Sequence, residues 1–258
     1  MSTVRPAQRG LLFLGCLLAF VRWEPAPYDL FLIIIFLLYA RGLTWKSYQL
    51  VFVVLLGPLL FTHVPALGAA LEVAPERTLY YSLVTLYLAL SSVFFMSLPE
   101  RSVPLLLLGY EVGALLSGLL GVLAFLRIPG LEDLLWGGSR AVAFFKDPNV
   151  FGAFLIPALF LALARLEQGR KFWILPALIL FLGVLVSLSR GAWANFAVAL
   201  LAWWLLRPRK RIWLPLVLLT LAGGVGISVV VMPDNPIVQR LGFMPYDKER
   251  FFTQMEAL

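Results

Sequence analysis

An arginine stands where two long apolar stretches of the chain almost meet, at position 190 in the run Ser-Leu-Ser-Arg-Gly from 187 to 191. A guanidinium so close to hydrocarbon costs several kcal/mol unless it is paired or faces water. It is always charged, and its planar fork of donors suits phosphate oxygens. Arg190 is therefore either an anion-binding residue or a snorkelling side chain that marks a helix end.

A second polar group, Lys146-Asp147-Pro148-Asn149, directly precedes an apolar run. This order is typical of a helix start, with Asp147 or Asn149 as the N-cap and the proline in the first turn. The N-terminus of a helix also attracts anions, because its first backbone amides have no partner within the helix. The group therefore predicts a helix start, and it is also a candidate binding site for an anionic substrate.

Three more features contain titratable residues. Glu111 lies within a long apolar run, where an acid could relay protons, bind an ion or stay neutral and hydrogen-bonded to another helix. The tail from Arg240 to Leu258 suits an amphipathic surface helix, or it supplies Arg250 as a second phosphate ligand. His63 is the only histidine, so no second histidine can complete a metal site or a catalytic pair with it.

The sequence lacks the residue patterns that are typical of metal sites, phosphate-binding loops and dinucleotide sites. The chain has one cysteine, Cys16, and therefore no Cys-x-x-Cys motif. The acidic pair Glu132-Asp133 has no further ligands nearby in the sequence. Neither a Gly-x-x-x-x-Gly-Lys loop nor a dinucleotide fingerprint is present. We therefore expect no bound metal and no cofactor.

The elements that must position these residues are predicted to be membrane helices. The chain is 61% hydrophobic and 14% charged, whereas soluble domains are about 45–50% apolar and about 25% charged. Its apolar residues form continuous runs, which favours helices over a transmembrane barrel. We predict an all-α polytopic bundle in the lipid bilayer. The net charge of +7 fits basic loops that fix topology, so no nucleic acid partner is expected.

About nine apolar segments are long enough, or nearly long enough, to cross a bilayer. Basic residues concentrate in the loops that become cytoplasmic when the N-terminus is placed inside, above all in the run Arg207–Arg211. This orientation predicts a transmembrane domain over 1–232 and the start of an external loop over 233–258. The predicted segments are 10–22, 28–40, 47–62, 78–98, 103–125, 150–165, 172–188, 191–206 and 212–232.

Four stretches together resemble the bacterial O-antigen ligase and O-antigen polymerase family. The run Phe145–Gly152, followed later by Ser187–Gly191, is similar to a pair of motifs in these membrane glycosyltransferases. The run Trp23–Asp29 looks like their first external loop, and Tyr246–Arg250 looks like the start of their large periplasmic loop. The resemblance covers nearly the whole chain.

The resemblance implies a location in the bacterial inner membrane and a metal-independent reaction at its periplasmic face. A glycan would move from undecaprenyl diphosphate to lipid A core, to another glycan or to a protein hydroxyl. Arg190 and Arg250 match the family's catalytic arginines, and Lys146, Asp147, Asn149 and Ser189 would help to bind the substrate. The family's histidine and last spans come later than Leu258, which implies that this chain is part of a longer protein.

Two other functions fit the sequence. A transporter or flippase of lipid-linked saccharides would use the intramembrane acid Glu111 as its coupling residue. An inactive fragment would lack the catalytic loop. Proton-dependent translocation that survives loss of Arg190 but not loss of Glu111 would favour the transporter. The sequence leaves the glycan, the acceptor and the catalytic base open.

Overall fold

A computed structural model describes residues 6–39, 43, 46–47, 49–54, 57, 67–68 and 71–206. The described chain is mostly helical, because its long apolar runs satisfy their backbone hydrogen bonds internally. The helices with defined ends are α1 (Pro6–Leu17), α2 (Pro27–Tyr39), α3 (Pro75–Ser97), α4 (Val103–Phe125), α5 (Pro148–Glu167), α6 (Ile174–Val186) and α7 (Arg190–Leu206).

Short elements join some of these helices. Single 3₁₀ turns cover Glu100–Ser102, Glu132–Leu134 and Lys171–Trp173. Between α4 and α5 the chain also forms a two-residue antiparallel pair of β1 (Leu135–Trp136) and β2 (Arg140–Ala141). Gly137 and Gly138 lie between the two strands with positive φ angles of 58° and 69°, a region that glycine enters without steric cost.

Three of the described helices are long and apolar enough to cross a membrane: α3, α4 with its preceding 3₁₀ turn, and α5. The helical class is therefore confirmed, and these three helices agree in length and composition with the predicted membrane spans. Each described helix lies on a predicted apolar segment, and α4 has the limits predicted for the fifth. The ninth segment lies outside the described residues, as does much of the third. The count of nine spans stays a prediction.

The chain divides into two compact units. The first contains residues 1–14 and 29–107, and its described contacts are partly polar. Gln49 is fully buried, and its Nε2 donates to the Val93 carbonyl at 3.2 Å and to the Ser97 hydroxyl at 2.5 Å. Tyr87 donates its hydroxyl to Asp29 Oδ1 at 2.7 Å. These three hydrogen bonds give Gln49 and Tyr87 polar partners within the apolar helices of this unit.

The second unit contains residues 15–28 and 108–258, and its described core is formed by α4, α5, α6 and the loop before α5. Small residues let these helices approach closely. A Cβ on Gly183 of α6 would lie 2.6 Å from Leu155 Cδ1 and 3.3 Å from the Cα of Gly118 in α4. Glycines at these positions therefore allow α4, α5 and α6 to pack closely.

The loop from 126 to 147 packs against the protein through aromatic side chains. Phe145 is buried beside the rings of Phe151 and Phe154. Phe144 stacks on Phe20 with 4.6 Å between ring centroids. Trp136 differs, since 54% of its surface is exposed. The loop is thus held over the end of the second unit by its own aromatic side chains.

Candidate functional site

The candidate site lies at the end of the second unit where α5 begins, α6 ends and α7 begins. Asp147 is the N-cap of α5, with an extended backbone and a side chain that accepts a hydrogen bond from the Asn149 amide at 2.6 Å. Pro148 follows in the first turn, where its lack of an N–H costs nothing. The predicted helix start is confirmed, and the Asp147 carboxylate serves as the cap.

The turn between α6 and α7 is held by two buried serines. The Ser187 hydroxyl donates to the Val184 carbonyl at 2.7 Å and accepts from the Ser189 amide at 3.2 Å. The Ser189 hydroxyl accepts from the Ala192 amide at 3.1 Å, which caps the start of α7. Ser189 is 1% exposed. Its place among the substrate-binding residues stays a prediction, and its observed contacts are those of a helix cap.

A glycine brings this turn against the start of α5. A Cβ on Gly152 would lie 2.6 Å from the Ser187 hydroxyl oxygen and 2.8 Å from the Ala192 Cβ, too close for any side chain without movement. The polar group around Asp147 and the Ser-Arg-Gly turn, far apart in the sequence, are therefore neighbours in space.

Arg140 ties the same two segments together. Its Nε donates to the Ser187 carbonyl at 3.2 Å, and its Nη2 donates to Asn149 Oδ1 at 3.2 Å. Its guanidinium carbon lies 5.7 Å from the centroid of a Trp136 ring. Arg140 cannot be predicted as a site residue from the sequence, because nothing in its local pattern distinguishes it from the other loop arginines.

Arg190 is the first residue of α7 and is partly buried. A cation at a helix N-terminus opposes the helix dipole, so its position becomes favourable when an anion is bound beside it. Lys146 lies just before the α5 cap and forms an ion pair with Glu24. We call Arg140, Lys146 and Arg190 the cationic cluster, since all three adjoin the paired helix starts.

The donors at this end suit an anion. They are guanidinium and ammonium groups and the first amides of two helices. Phe145 and Phe151, which lie on either side of the Asp147 cap in the sequence, are buried. In the described chain no group of three or more His, Cys, Asp or Glu side chains is placed to hold a metal ion. Arg250, His63 and the tail from 233 to 258 lie outside the described residues.

Glu111 lies elsewhere in the same unit and forms an ion pair with Arg165. The Glu111 Oε2 is 2.5 Å from Arg165 Nη1, and Glu111 is 4% exposed. The Arg165 guanidinium carbon lies 4.1 Å from the centroid of a Trp173 ring. Arg165 lies in the last turn of α5.

No known protein-family model, curated protein or solved structure matches this chain.

Proposed function

We propose that the chain is a membrane glycosyltransferase similar to O-antigen ligases and polymerases. It moves a glycan from undecaprenyl diphosphate to an acceptor hydroxyl on lipid A core, on another glycan or on a protein. The observation that carries this proposal is the juxtaposition of the Asp147 helix start with the Arg190 helix start, bridged by Arg140. The resemblance in these same two motifs supplies the substrate class.

In the proposed reaction, positively charged side chains of the protein take the place of a metal ion. An oxygen of the acceptor hydroxyl attacks the anomeric carbon, the bond from that carbon to the diphosphate oxygen breaks, and its electron pair stays on the diphosphate. A general base takes the hydroxyl proton. Preorganised donors beside the diphosphate stabilise the charge that develops on the leaving oxygen. Arg190 and the first amides of α7 are suited to this role, because both present N–H groups toward an anion.

Arg250 is proposed as a second arginine that binds the diphosphate, and Lys146 and Asn149 are proposed to line the bound headgroup. Arg140 is proposed to position Arg190 by holding the Ser187 carbonyl and Asn149 in place. The proposal places this end of the unit at the periplasmic face of a bacterial inner membrane, with nine spans and a cytoplasmic N-terminus. The distribution of basic residues between the loops supports that orientation.

The test is glycan transfer by Arg190→Gln in the full-length protein, reconstituted with a lipid-linked donor and several acceptors. We expect transfer to fall by about 10²–10³-fold, the usual loss when one donor to a developing anion is removed. Arg127→Gln is the matched control, because Arg127 is an exposed arginine of the loop between α4 and α5. Wild-type transfer by Arg190→Gln would remove the proposed role of this residue.

A further inference from the structure

The second unit contains an apolar cleft that the proposed glycan transfer does not use. The cleft has a volume of about 50 Å³ and lies between α4, α5 and α6. Glu111 and Trp173 belong to its wall, but the carboxylate oxygens and the indole nitrogen of these two residues are buried. The surface that faces the cleft is therefore hydrocarbon, which suits an apolar occupant. The other lining residues are Leu108, Val112, Leu115, Ala158, Pro176 and Leu180.

The apolar cleft reaches the outer surface of the helices around it. Leu108 and Val112 of α4 line it with 38% and 49% of their surfaces exposed. In a bilayer, the exposed apolar side chains of a membrane helix contact the acyl chains of lipids. The cleft has room for only one or two groups the size of a water molecule. It can therefore hold a few carbon atoms of an acyl chain, while the rest of that chain lies along α4.

Two exposed cations directly precede the part of the chain that lines the cleft. Arg170 and Lys171 are exposed in the segment that joins α5 to α6. Lys171 and Trp173 belong to the same 3₁₀ turn, and Trp173 lines the cleft. The neighbouring Phe172 and Ile174 are also exposed. Cations beside exposed apolar and aromatic side chains are typical of a segment at the level of lipid headgroups.

The balance of charge at this end of the helices favours an anion. Glu111 forms an ion pair with Arg165 at 2.5 Å, so these two charges offset each other. The segment that follows contains two basic residues, Arg170 and Lys171, and one acidic residue, Glu167, which accepts a hydrogen bond from an indole N–H at 3.4 Å. Phosphate oxygens are good acceptors for guanidinium and ammonium groups.

We propose that this end of the second unit binds one anionic phospholipid, with its phosphate on Arg170 and Lys171 and part of one acyl chain in the apolar cleft. Cations at the helix ends and hydrocarbon between the helices follow the same order as the headgroup and chains of a phospholipid. In the proposed topology this end is cytoplasmic, and anionic lipids are abundant in cytoplasmic leaflets. The site and the cationic cluster lie at opposite ends of α5, so either proposal can fail without the other.

Photocrosslinking of the wild-type full-length protein tests the site. The protein is placed in phosphatidylcholine liposomes with a small fraction of phosphatidylglycerol that carries a diazirine on one acyl chain. A parallel sample contains phosphatidylcholine with the same diazirine chain. Light releases dinitrogen, and the resulting carbene inserts into a nearby C–H bond. Peptide mass spectrometry then locates the labelled residues.

We expect phosphatidylglycerol to label the cleft residues of α4 and α6 about 10–30-fold more than phosphatidylcholine does, because each cation near the headgroups favours an anionic lipid by about fivefold. The exposed apolar side of α3 is the internal reference and should be labelled equally by both lipids. Equal labelling of the cleft by the two lipids would overturn the proposal. So would phosphatidylglycerol labelling of the cleft that does not exceed its labelling of α3.

A pair of charge variants tests the headgroup contacts. Arg170→Gln/Lys171→Gln should abolish the preference of the cleft for phosphatidylglycerol. Arg101→Gln/Arg127→Gln is the matched control, because it also removes two exposed cations, and it should retain the preference. Retention of the preference in Arg170→Gln/Lys171→Gln would contradict the proposed phosphate contacts.

A second pair of variants tests the position of the acyl chain. Val112→Phe puts a larger side chain at the cleft and should lower its labelling by both lipids. Val198→Phe is the control, because Val198 is exposed on α7, which contributes none of the described lining residues. Unchanged cleft labelling in Val112→Phe would contradict the proposed place of the chain. The wild-type comparison of the two lipids decides the proposal even if a variant fails to fold.

Discussion

At the residue scale, one guanidinium connects the two helix starts of the candidate site. Arg140 uses Nε for the Ser187 carbonyl and Nη2 for the Asn149 amide oxygen. The Nε and Nη2 donors belong to one rigid planar guanidinium, so its geometry sets the distance between Ser187 and Asn149. A lysine, with a single flexible ammonium, cannot hold both acceptors in the same way. In the proposed function, Arg140 positions Arg190 by holding the Ser187 carbonyl in place.

Substitutions at Asp147 test its structural role as a helix cap independently of any role in glycan transfer. Asp147→Ala should lower the free energy of unfolding by about 1 kcal/mol, because the Asn149 amide loses its N-cap acceptor. Asp147→Asn retains an acceptor oxygen, so its free energy of unfolding should stay close to that of the wild type. Chemical denaturation of the purified protein in detergent, followed by circular dichroism, measures both. Equal destabilisation by Ala and Asn would contradict the role of Asp147 as a cap.

The residues of the site differ in how well sequence predicts them. Asp147 could be predicted because a cap is a local feature, recognisable from Asp-Pro before an apolar run. Arg140 could not, because its partner Ser187 is 47 residues away and only the fold brings the two together. Glu111 was recognised as an unusual intramembrane acid, but its partner Arg165 follows only from the packing of α4 against α5.

At the element scale, α5 packs against the α6–α7 turn at Gly152, which has no side chain to keep the two segments apart. Gly152→Ala places a methyl group 2.6 Å from the Ser187 hydroxyl oxygen, so the turn must move away from α5. We expect a loss of about 1–3 kcal/mol in stability, the usual cost of overpacking. Because Ser187 also holds Arg140, glycan transfer should fall together with stability. Denaturation and the transfer assay measure the two effects.

Gly191→Ala is the control for this change. Gly191 lies in the first turn of α7 beside Arg190, and a Cβ there would approach only the Ser189 hydroxyl oxygen, at 3.9 Å. Alanine fits that space and has the higher helix propensity, so stability should be unchanged or slightly raised. A Gly191→Ala variant as damaged as Gly152→Ala would show that the effect does not come from the contact with Ser187.

The helices were easier to predict than the segments between them. Continuous apolar sequence predicts α4 over 103–125, because a membrane helix depends on length and hydropathy alone. The surroundings of the loop before α5 could not be predicted in this way. Its Phe144 and Phe145 pack on Phe20, Phe151 and Phe154. A membrane surface and a protein core select the same apolar residues, so composition cannot separate the two environments.

At the scale of the whole molecule, the proposed topology puts the cationic cluster and Arg165, the partner of Glu111, near opposite ends of α5. α5 runs from the Asp147 cap to a last turn that contains Arg165, and its 20 residues are long enough to span the hydrocarbon of a bilayer. The proposal assigns the first side to the periplasm and the second to the cytoplasm.

Cysteine labelling tests this assignment. Cys16 is the only cysteine, so Cys16→Ser gives a chain without thiols. Ser139 and Gln168 are exposed residues in the loops that precede and follow α5. In that background we expect Ser139→Cys to react with an impermeant maleimide on spheroplasts, and Gln168→Cys to react only after the membrane is permeabilised. The reverse pattern would invert the proposed orientation and place the cationic cluster in the cytoplasm.

The central claim is that Arg190, positioned by Arg140, binds the diphosphate of a lipid carrier, and the most direct measurement is the affinity of the purified chain for undecaprenyl diphosphate. We expect Arg190→Gln to weaken binding by about 10–100-fold, since hydrogen bonds to charged groups contribute roughly 1.5–3 kcal/mol. Arg127→Gln should leave affinity unchanged, and undecaprenyl monophosphate should bind the wild-type chain less tightly. Equal affinity of wild type and Arg190→Gln for the diphosphate lipid would contradict the claim.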